Sequence, residues 1–162
     1  MDEKSAKEYM ALFLEKWKAV ERVSEEYARV AGLTPMSLHV LTIIYDNSED
    51  CTQKLICQQS LYNKQTVNMI IKSFWEQGHV ELAEMKEDRR NKQVRLSEKG
   101  KKYAEKVNRI LFDIGNNALE RISQEQQKAL IAFLEAYEQC FRRGVDTLAE
   151  AIHTTDREGD DD

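Results

Sequence analysis

The sequence is poor in residues that interrupt regular structure. It has one proline and six glycines among 162 residues, a composition that favours long helices over a many-turned β fold. It also lacks a long apolar run, so no stretch approaches the roughly 20 residues of a membrane-spanning helix. Its N-terminal segment has no apolar signal core. We therefore expect a cytoplasmic protein that does not associate with membranes.

The cysteines and histidines do not indicate a metal site or an enzyme. Cys51, Cys57 and Cys140 are an odd number without CxxC spacing, which disfavours a disulfide framework or a structural zinc. Cys51 precedes an expected helix start, where the dipole favours a thiolate, whereas the other two fit small core residues. The histidines form no ligand cluster, and neither a Gly-rich phosphate loop nor an HExxH motif occurs. We expect no catalysis, metal or cofactor.

Charge is distributed unevenly along the chain. Residues 52–103 contain eleven Lys/Arg against six Asp/Glu, a local net charge of +5, whereas the whole chain carries −5. The remainder therefore carries −10. A basic centre between acidic ends is typical of a DNA-binding module with acidic arms. Charges scattered over a protein surface are the alternative, and this stretch alone would be weak evidence.

The apolar periodicity predicts a mainly α fold with one small β-hairpin. The expected order is four helices, the hairpin and two long helices. Thr34, Thr52 and Asn63 are the expected N-caps of the second, third and fourth helices. Ser123 and Gln126 predict a capping box at the start of the sixth helix. The fifth helix should present an apolar stripe formed by Val107, Ile110, Leu111, Ile114, Ala118 and Ile122.

These elements predict a winged helix-turn-helix flanked by dimerisation helices. The winged module covers 33–97, from the second helix through the hairpin. The first helix, in 1–32, and the last two, in 98–153, carry more apolar surface than the small module can bury. We therefore expect a symmetric homodimer. The acidic tail, 154–162, lacks apolar residues and is expected to be disordered.

Four segments of the chain resemble the MarR (multiple antibiotic resistance regulator) family. Residues 87–100 read Glu-Asp-Arg-Arg-Asn-Lys-Gln-Val-Arg-Leu-Ser-Glu-Lys-Gly and are similar to the family's wing signature. That signature is Asp-x-Arg, then Val and Leu-Thr, then a Lys-Gly helix start. The entry to the family's second helix resembles residues 33–35 together with 40–41. The start of its recognition helix resembles residues 63–67, and the end of that helix resembles residues 76–78. Together the motifs span roughly 33 to 107, in the family's order.

The resemblance implies a sequence-specific regulator of transcription. Such a protein binds double-stranded DNA as a homodimer at a pseudo-palindromic operator, and the family default is a repressor released by a small-molecule effector. The chain has Met69 where the family often has Arg, and His79 where it often has Leu. These departures bear on the preferred DNA sequence more than on the fold. The alternative function is a helical dimeric adaptor that acts by protein–protein contact without DNA. The wing arginines and the basic centre count against it.

The resemblance assigns the fourth helix to base recognition. A major groove admits one helix, whose N-terminal half reaches the base edges. The amides of Gln65 and Asn68 suit adenine, and the methyl group of Thr66 can contact thymine. An ordinary solvated helix face is the alternative. The expected DNA contacts are Lys64, Gln65, Thr66, Asn68, Met69 and Lys72.

The wing loop is the second expected DNA contact. Arg90 is expected in the minor groove, where a narrow A·T segment concentrates negative potential. The family pattern makes Asp88 its orienting partner, and Arg89 and Lys92 would contact the DNA backbone. The alternative is a solvated charged loop.

The resemblance also implies an effector site between the dimerisation helices and the DNA-binding lobe. Trp17, Met36, His39 and Tyr45 are the candidates to line such a crevice. The alternative is that these side chains belong to the ordinary apolar core.

Overall fold

The computed structural model describes residues 2–84 and 92–158. Within them, six helices and two strands follow the predicted order, which confirms the mainly helical fold with a two-stranded antiparallel wing. The helices and strands are α1 Glu3–Val30, α2 Pro35–Asp46, α3 Gln53–Ser60, α4 Lys64–Glu76, β1 Val80–Glu84, β2 Lys92–Leu96, α5 Glu98–Leu119 and α6 Gln124–Glu158.

The predicted helix caps are all formed. Side-chain oxygens accept backbone N–H bonds of 3.1 Å at Thr34, 3.1 Å at Thr52 and 2.9 Å at Asn63. Ser123 and Gln126 make the reciprocal capping box, with bonds of 2.8 and 3.2 Å. Each bond satisfies an N–H group that has no partner within its own helix, so short-range sequence is enough to place these helix starts.

The chain forms two compact units, Met1–Leu111 and Phe112–Asp162. The core of the first unit includes Ala28 from the end of α1 and Ala104 from α5, beside the buried residues of the winged module. Two tyrosine hydroxyls donate across the same helix pair: Tyr27 to the carbonyl of Val107 at 2.7 Å and Tyr103 to that of Ala31 at 2.6 Å. The module predicted at 33–97 therefore shares one core with the adjoining ends of α1 and α5.

The wing is attached to the helical core through β2. Strand β1 pairs antiparallel with β2, with Leu82 opposite Val94. On the other side of β2, the N–H of Val94 donates to the carbonyl of Cys51 at 2.9 Å, and Thr52 forms an isolated bridge with Gln93. These contacts fix the start of α3 relative to the wing.

The second unit holds the end of α5 and all of α6. Helix α5 ends at Leu119, so Ile122 lies in the connecting turn and not on the predicted α5 stripe. The side-chain N–H of Gln127 donates to the carbonyl of Leu119 at 2.9 Å. Helix α6 extends to Glu158, into the segment 154–162 for which disorder was predicted. No Gly or Pro interrupts that stretch before position 159, and the final residues lie outside the described range.

The long helices present apolar side chains at their surfaces. In α1, five such side chains are 50–69% exposed: Tyr9, Leu12, Trp17, Val20 and Val23. In α6, seven recur every three or four residues and are 37–63% exposed: Leu130, Leu134, Tyr137, Phe141, Val145, Leu148 and Ile152. We call this second group the α6 stripe. In the described part of the chain, no helix is both long and apolar enough to cross a membrane.

Candidate nucleic-acid interface

Helix α4 separates an apolar face from a polar one. Val67, Ile70, Ile71 and Phe74 are buried, and their spacing follows the helical repeat. The remaining surface carries the side chains that the sequence predicted for DNA recognition. Five of them are exposed, namely Lys64, Gln65, Asn68, Met69 and Lys72, and Thr66 is half-buried.

Other side chains of the chain make few contacts with the polar face of α4. Lys72 lies 3.6 Å from a carboxylate oxygen of Glu76, an exposed ion pair of the kind that contributes little. Met69 is 62% exposed amid polar neighbours. The cations and the apolar contact of this face are therefore accessible to a ligand.

One contact on this face was missed by sequence reasoning. Gln53, the first residue of α3, donates a side-chain N–H to the amide oxygen of Asn68 on α4. The two side chains belong to a groove of about 320 Å³ between α4 and the wing. Its lining is Gln53, Asn68, Ile71, Lys72, Trp75, Leu82, Lys92 and Val94. Nothing in local sequence pattern pairs a residue of α3 with one of α4.

The wing residues are described in part. Lys92 opens β2, is exposed, and lines the same groove as Lys72. Asp88, Arg89 and Arg90 lie outside the described residues. The minor-groove role of Arg90 and the orienting role of Asp88 therefore stay predictions.

The segment that builds this surface matches a known family. Residues 31–91, from the end of α1 into the wing, match the model of the MarR family. This part of the chain therefore matches the MarR family. Its members are winged helix-turn-helix transcription regulators and not enzymes. The resemblance seen in the sequence motifs is thereby confirmed.

Solved structures share the fold of this chain at low sequence identity. Staphylococcus aureus MepR in a DNA complex aligns with a TM-score of 0.67 at 19% identity, over 82% of this chain and 97% of that one. MepR in its DNA-binding conformation gives 0.68 at 19%, over 82% and 98%. Streptococcus pneumoniae FabT in complex with DNA gives 0.66 at 18%, over 87% and 98%. No curated protein matches the sequence.

The four candidate effector residues have different surroundings in the structure. Trp17 is exposed on α1, and Met36 is exposed in the first turn of α2. The ring of His39 meets Tyr62, with 3.3 Å between Nδ1 and the hydroxyl, and Tyr45 packs against the core. A cavity of about 260 Å³ in the first unit is lined by other residues, from α1 and α5: Tyr27, Val30, Ala31, Tyr103, Lys106, Val107 and Ile110.

Two of the three cysteines, Cys51 and Cys140, differ from their sequence-based expectations. Cys51 is fully buried, and burial raises the pKa of its thiol to about 11. Loss of solvation therefore outweighs any effect of the helix dipole, and the thiol stays protonated at neutral pH. Cys57 is half-buried and packs against the core, as predicted, whereas Cys140 is exposed on α6 and is not a core residue of the chain. Among the side chains that the structure describes, those of residues 2–83 and 92–152, no group of three or more His, Cys, Asp or Glu could hold a metal ion.

His79 lies where α4, β1 and α5 meet. Its ring stacks on Tyr103, with centroids 4.6 Å apart and planes 4° from parallel. The Nδ1 atom is buried, and no described residue forms a hydrogen bond with it. Burial, and then the charge of Lys99, lower the pKa of His79 below its usual value. The folded unit therefore favours the neutral ring.

The substitution His79→Leu should make stability less dependent on pH. Because the folded state lowers the pKa of His79, the wild type should lose stability as pH falls below the unfolded value of about 6.5. Above that value the ring is neutral in both states and contributes no pH dependence. Thermal melts from about pH 7.5 to about pH 5 should show the variant gaining on the wild type as pH falls. Parallel profiles would contradict this role of His79.

Proposed function

We propose that this chain is a MarR-family protein that binds double-stranded DNA sequence-specifically as a transcription regulator. The observation that carries the proposal is α4. Its buried face holds it on the core, and its polar face points outward beside the wing with two lysines, two amides and a methionine exposed. A helix presented in this way fits a major groove, with cations on the phosphates and amides on the base edges. The DNA complexes of MepR and FabT, which share the fold, support this assignment.

We propose that the DNA-binding form is a homodimer. The α6 stripe and the exposed apolar side chains of α1 leave more apolar surface open than a single chain needs to expose. A two-fold dimer would cover these faces and present two recognition helices. The operator would then be a pseudo-palindrome with half-site centres about ten base pairs apart, one helical turn.

We further propose repression that a small-molecule effector relieves. The support is the family default, together with the α1–α5 cavity lined by the tyrosines that tie these helices. A ligand in this cavity would contact both α1 and α5 and would change how these two helices pack. Trp17, Met36, His39 and Tyr45 are a second candidate site, which a dimer partner would have to complete.

The function is tested by selecting bound sequences from a random duplex library at low salt. We expect one pseudo-palindromic consensus, with affinity for it falling steeply as salt rises because several lysines and arginines displace counterions. Lys64→Ala should weaken binding to all duplexes alike, since a phosphate contact carries no sequence information. Absence of duplex binding would favour the protein–protein adaptor, and a preference for single strands would also contradict the proposal.

The wing is tested by Arg90→Ala and Asp88→Ala. Removing Arg90 should cost about 1–3 kcal/mol of binding per half-site, as for other good base-level contacts. Asp88→Ala should also weaken binding, although it removes a negative charge near DNA, because the carboxylate is proposed to orient Arg90. Each variant is titrated against the selected operator and a scrambled duplex at one salt, with Lys128→Ala on α6 as the control. Tighter binding by Asp88→Ala and unchanged binding by Arg90→Ala would reduce the wing to a solvated loop.

A further inference from the structure

We infer that Gln53 determines which base edge Asn68 reads, an inference that rests on the proposed DNA binding. Gln53 lies on α3, half-buried, and its side-chain N–H donates to the amide oxygen of Asn68. Asn68 is exposed in the middle of the polar face of α4. The side chain that would face the bases is thus already bonded to a residue outside the recognition helix.

Gln53 is held where it can act on Asn68. The preceding residue, Thr52, caps α3 through a 3.1 Å bond from the N–H of Leu55 and bridges to Gln93 on β2. Gln93 in turn donates its side-chain N–H to a backbone carbonyl at 2.7 Å, in the loop before α3. The backbone at Gln53 is therefore fixed to the wing, so its amide is presented to α4 from a constant position.

This contact changes the hydrogen-bonding groups that Asn68 can offer to DNA. A free asparagine amide pairs with adenine by accepting from N6 and donating to N7. The oxygen of Asn68 has two lone pairs, so the bond from Gln53 acts by orientation: it holds the oxygen towards α3 and leaves the N–H groups of the amide to meet the bases. The N–H groups remain free, and they match guanine, whose major-groove edge presents the two acceptors O6 and N7. The pair therefore favours guanine, in place of the adenine that asparagine alone would suggest.

Two substitutions at position 53 should move this preference in a defined direction. Gln53→Ala removes the donor and frees the oxygen of Asn68, so adenine becomes acceptable. Gln53→Glu supplies an acceptor in the same place, which should turn the Asn68 amide so that its oxygen faces the bases. That orientation favours bases with amino groups, adenine and cytosine. The added negative charge should also weaken binding to every duplex.

The test is a random-duplex selection with the full chain, run for the wild type and each variant. Asn68→Ala should relax one position per half-site and so identify the base pair that Asn68 reads. At that position the wild type should prefer guanine over adenine by about tenfold, the scale of one good base contact. Gln53→Ala should abolish the preference, and Gln53→Glu should reverse it. The matched control is Gln58→Ala, an exposed residue about 140° further round α3, which should leave the consensus unchanged.

The outcomes separate this inference from the function on which it rests. If the wild type binds no duplex, the proposed function fails and the inference fails with it. If the wild type selects a consensus but Asn68→Ala relaxes no position, DNA binding stands and the inference is overturned. The same holds if Gln53→Ala keeps the wild-type preference at that position. Thermal melts check folding, and Gln53→Glu decides the question should Gln53→Ala fail to fold.

Discussion

Replacing Gly100 with alanine should lower the free energy of unfolding of the first unit by about 3 kcal/mol or more. Gly100 lies in the first turn of α5, against the backbone that joins α4 to β1. An added Cβ would lie 1.8 Å from the carbonyl oxygen of His79 and 2.8 Å from its carbonyl carbon. Both are backbone atoms, so rotation of a side chain cannot relieve the overlap.

The carbonyl of His79 has little freedom to move away. It accepts the backbone N–H of Ser97 at 3.0 Å and lies 3.3 Å from the hydroxyl of the same residue. The hydroxyl of Ser97 also accepts the N–H of Gly100 at 3.0 Å, and the ring of His79 stacks on Tyr103. Displacing α5 would break these bonds and withdraw Ala104 from the core. The overlap must therefore be accommodated by loss of packing.

The measurement for Gly100→Ala is a thermal or urea melt. For a protein of this size, a loss of about 3 kcal/mol lowers Tm by about 6–12 °C. The matched control is Gly115→Ala, the same change in the same helix at a position with nothing within 4 Å of the new Cβ. It should stabilise the chain by up to about 1 kcal/mol, because alanine has the higher helix propensity. Equal effects of the two substitutions would contradict the steric explanation.

Charged substitutions in the α6 stripe should abolish the proposed dimer and, with it, tight operator binding. Phe141 and Leu148 are 63% and 61% exposed in the single chain. In a two-fold dimer each change occurs twice, so Phe141→Asp with Leu148→Asp removes four apolar side chains. Each contributes about 1.5–3 kcal/mol when fully buried, and the new carboxylates would have to be desolvated. The dimer dissociation constant should rise by at least about a thousandfold.

Sedimentation at micromolar concentration, with operator titration in parallel, checks this expectation. The wild type should sediment as a dimer and the double variant as a monomer with weakened operator binding. Gln139→Asp is the control, since it adds one carboxylate about 200° round the helix from Phe141 and should leave the dimer intact. A monomeric wild type, or a double variant that remains dimeric, would overturn the assignment of the α6 stripe.

Local sequence was sufficient for the helix starts and for the two faces of α4. Thr34, Thr52 and Asn63 cap their helices through bonds that reach three residues along the chain, so neighbouring sequence contains both partners. The same holds for the buried face of α4, because helical spacing follows from the order of residues. The C-terminal ends of α5 and α6 were predicted less well, since α5 stops before Ile122 and α6 extends to Glu158. The apolar pattern alone does not fix where a helix ends.

What the sequence by itself determined was the set of elements, their order, the exposed polar face of α4 and the resemblance to the MarR family. Only the tertiary structure decided which distant residues meet. It placed Gln53 on Asn68, the carbonyl of His79 against Gly100, and Cys51 in the core. It also formed the cavity between α1 and α5. The physical reason is range: capping and helical spacing act over a few residues, whereas these contacts exist only once helices and strands far apart in the chain have packed together.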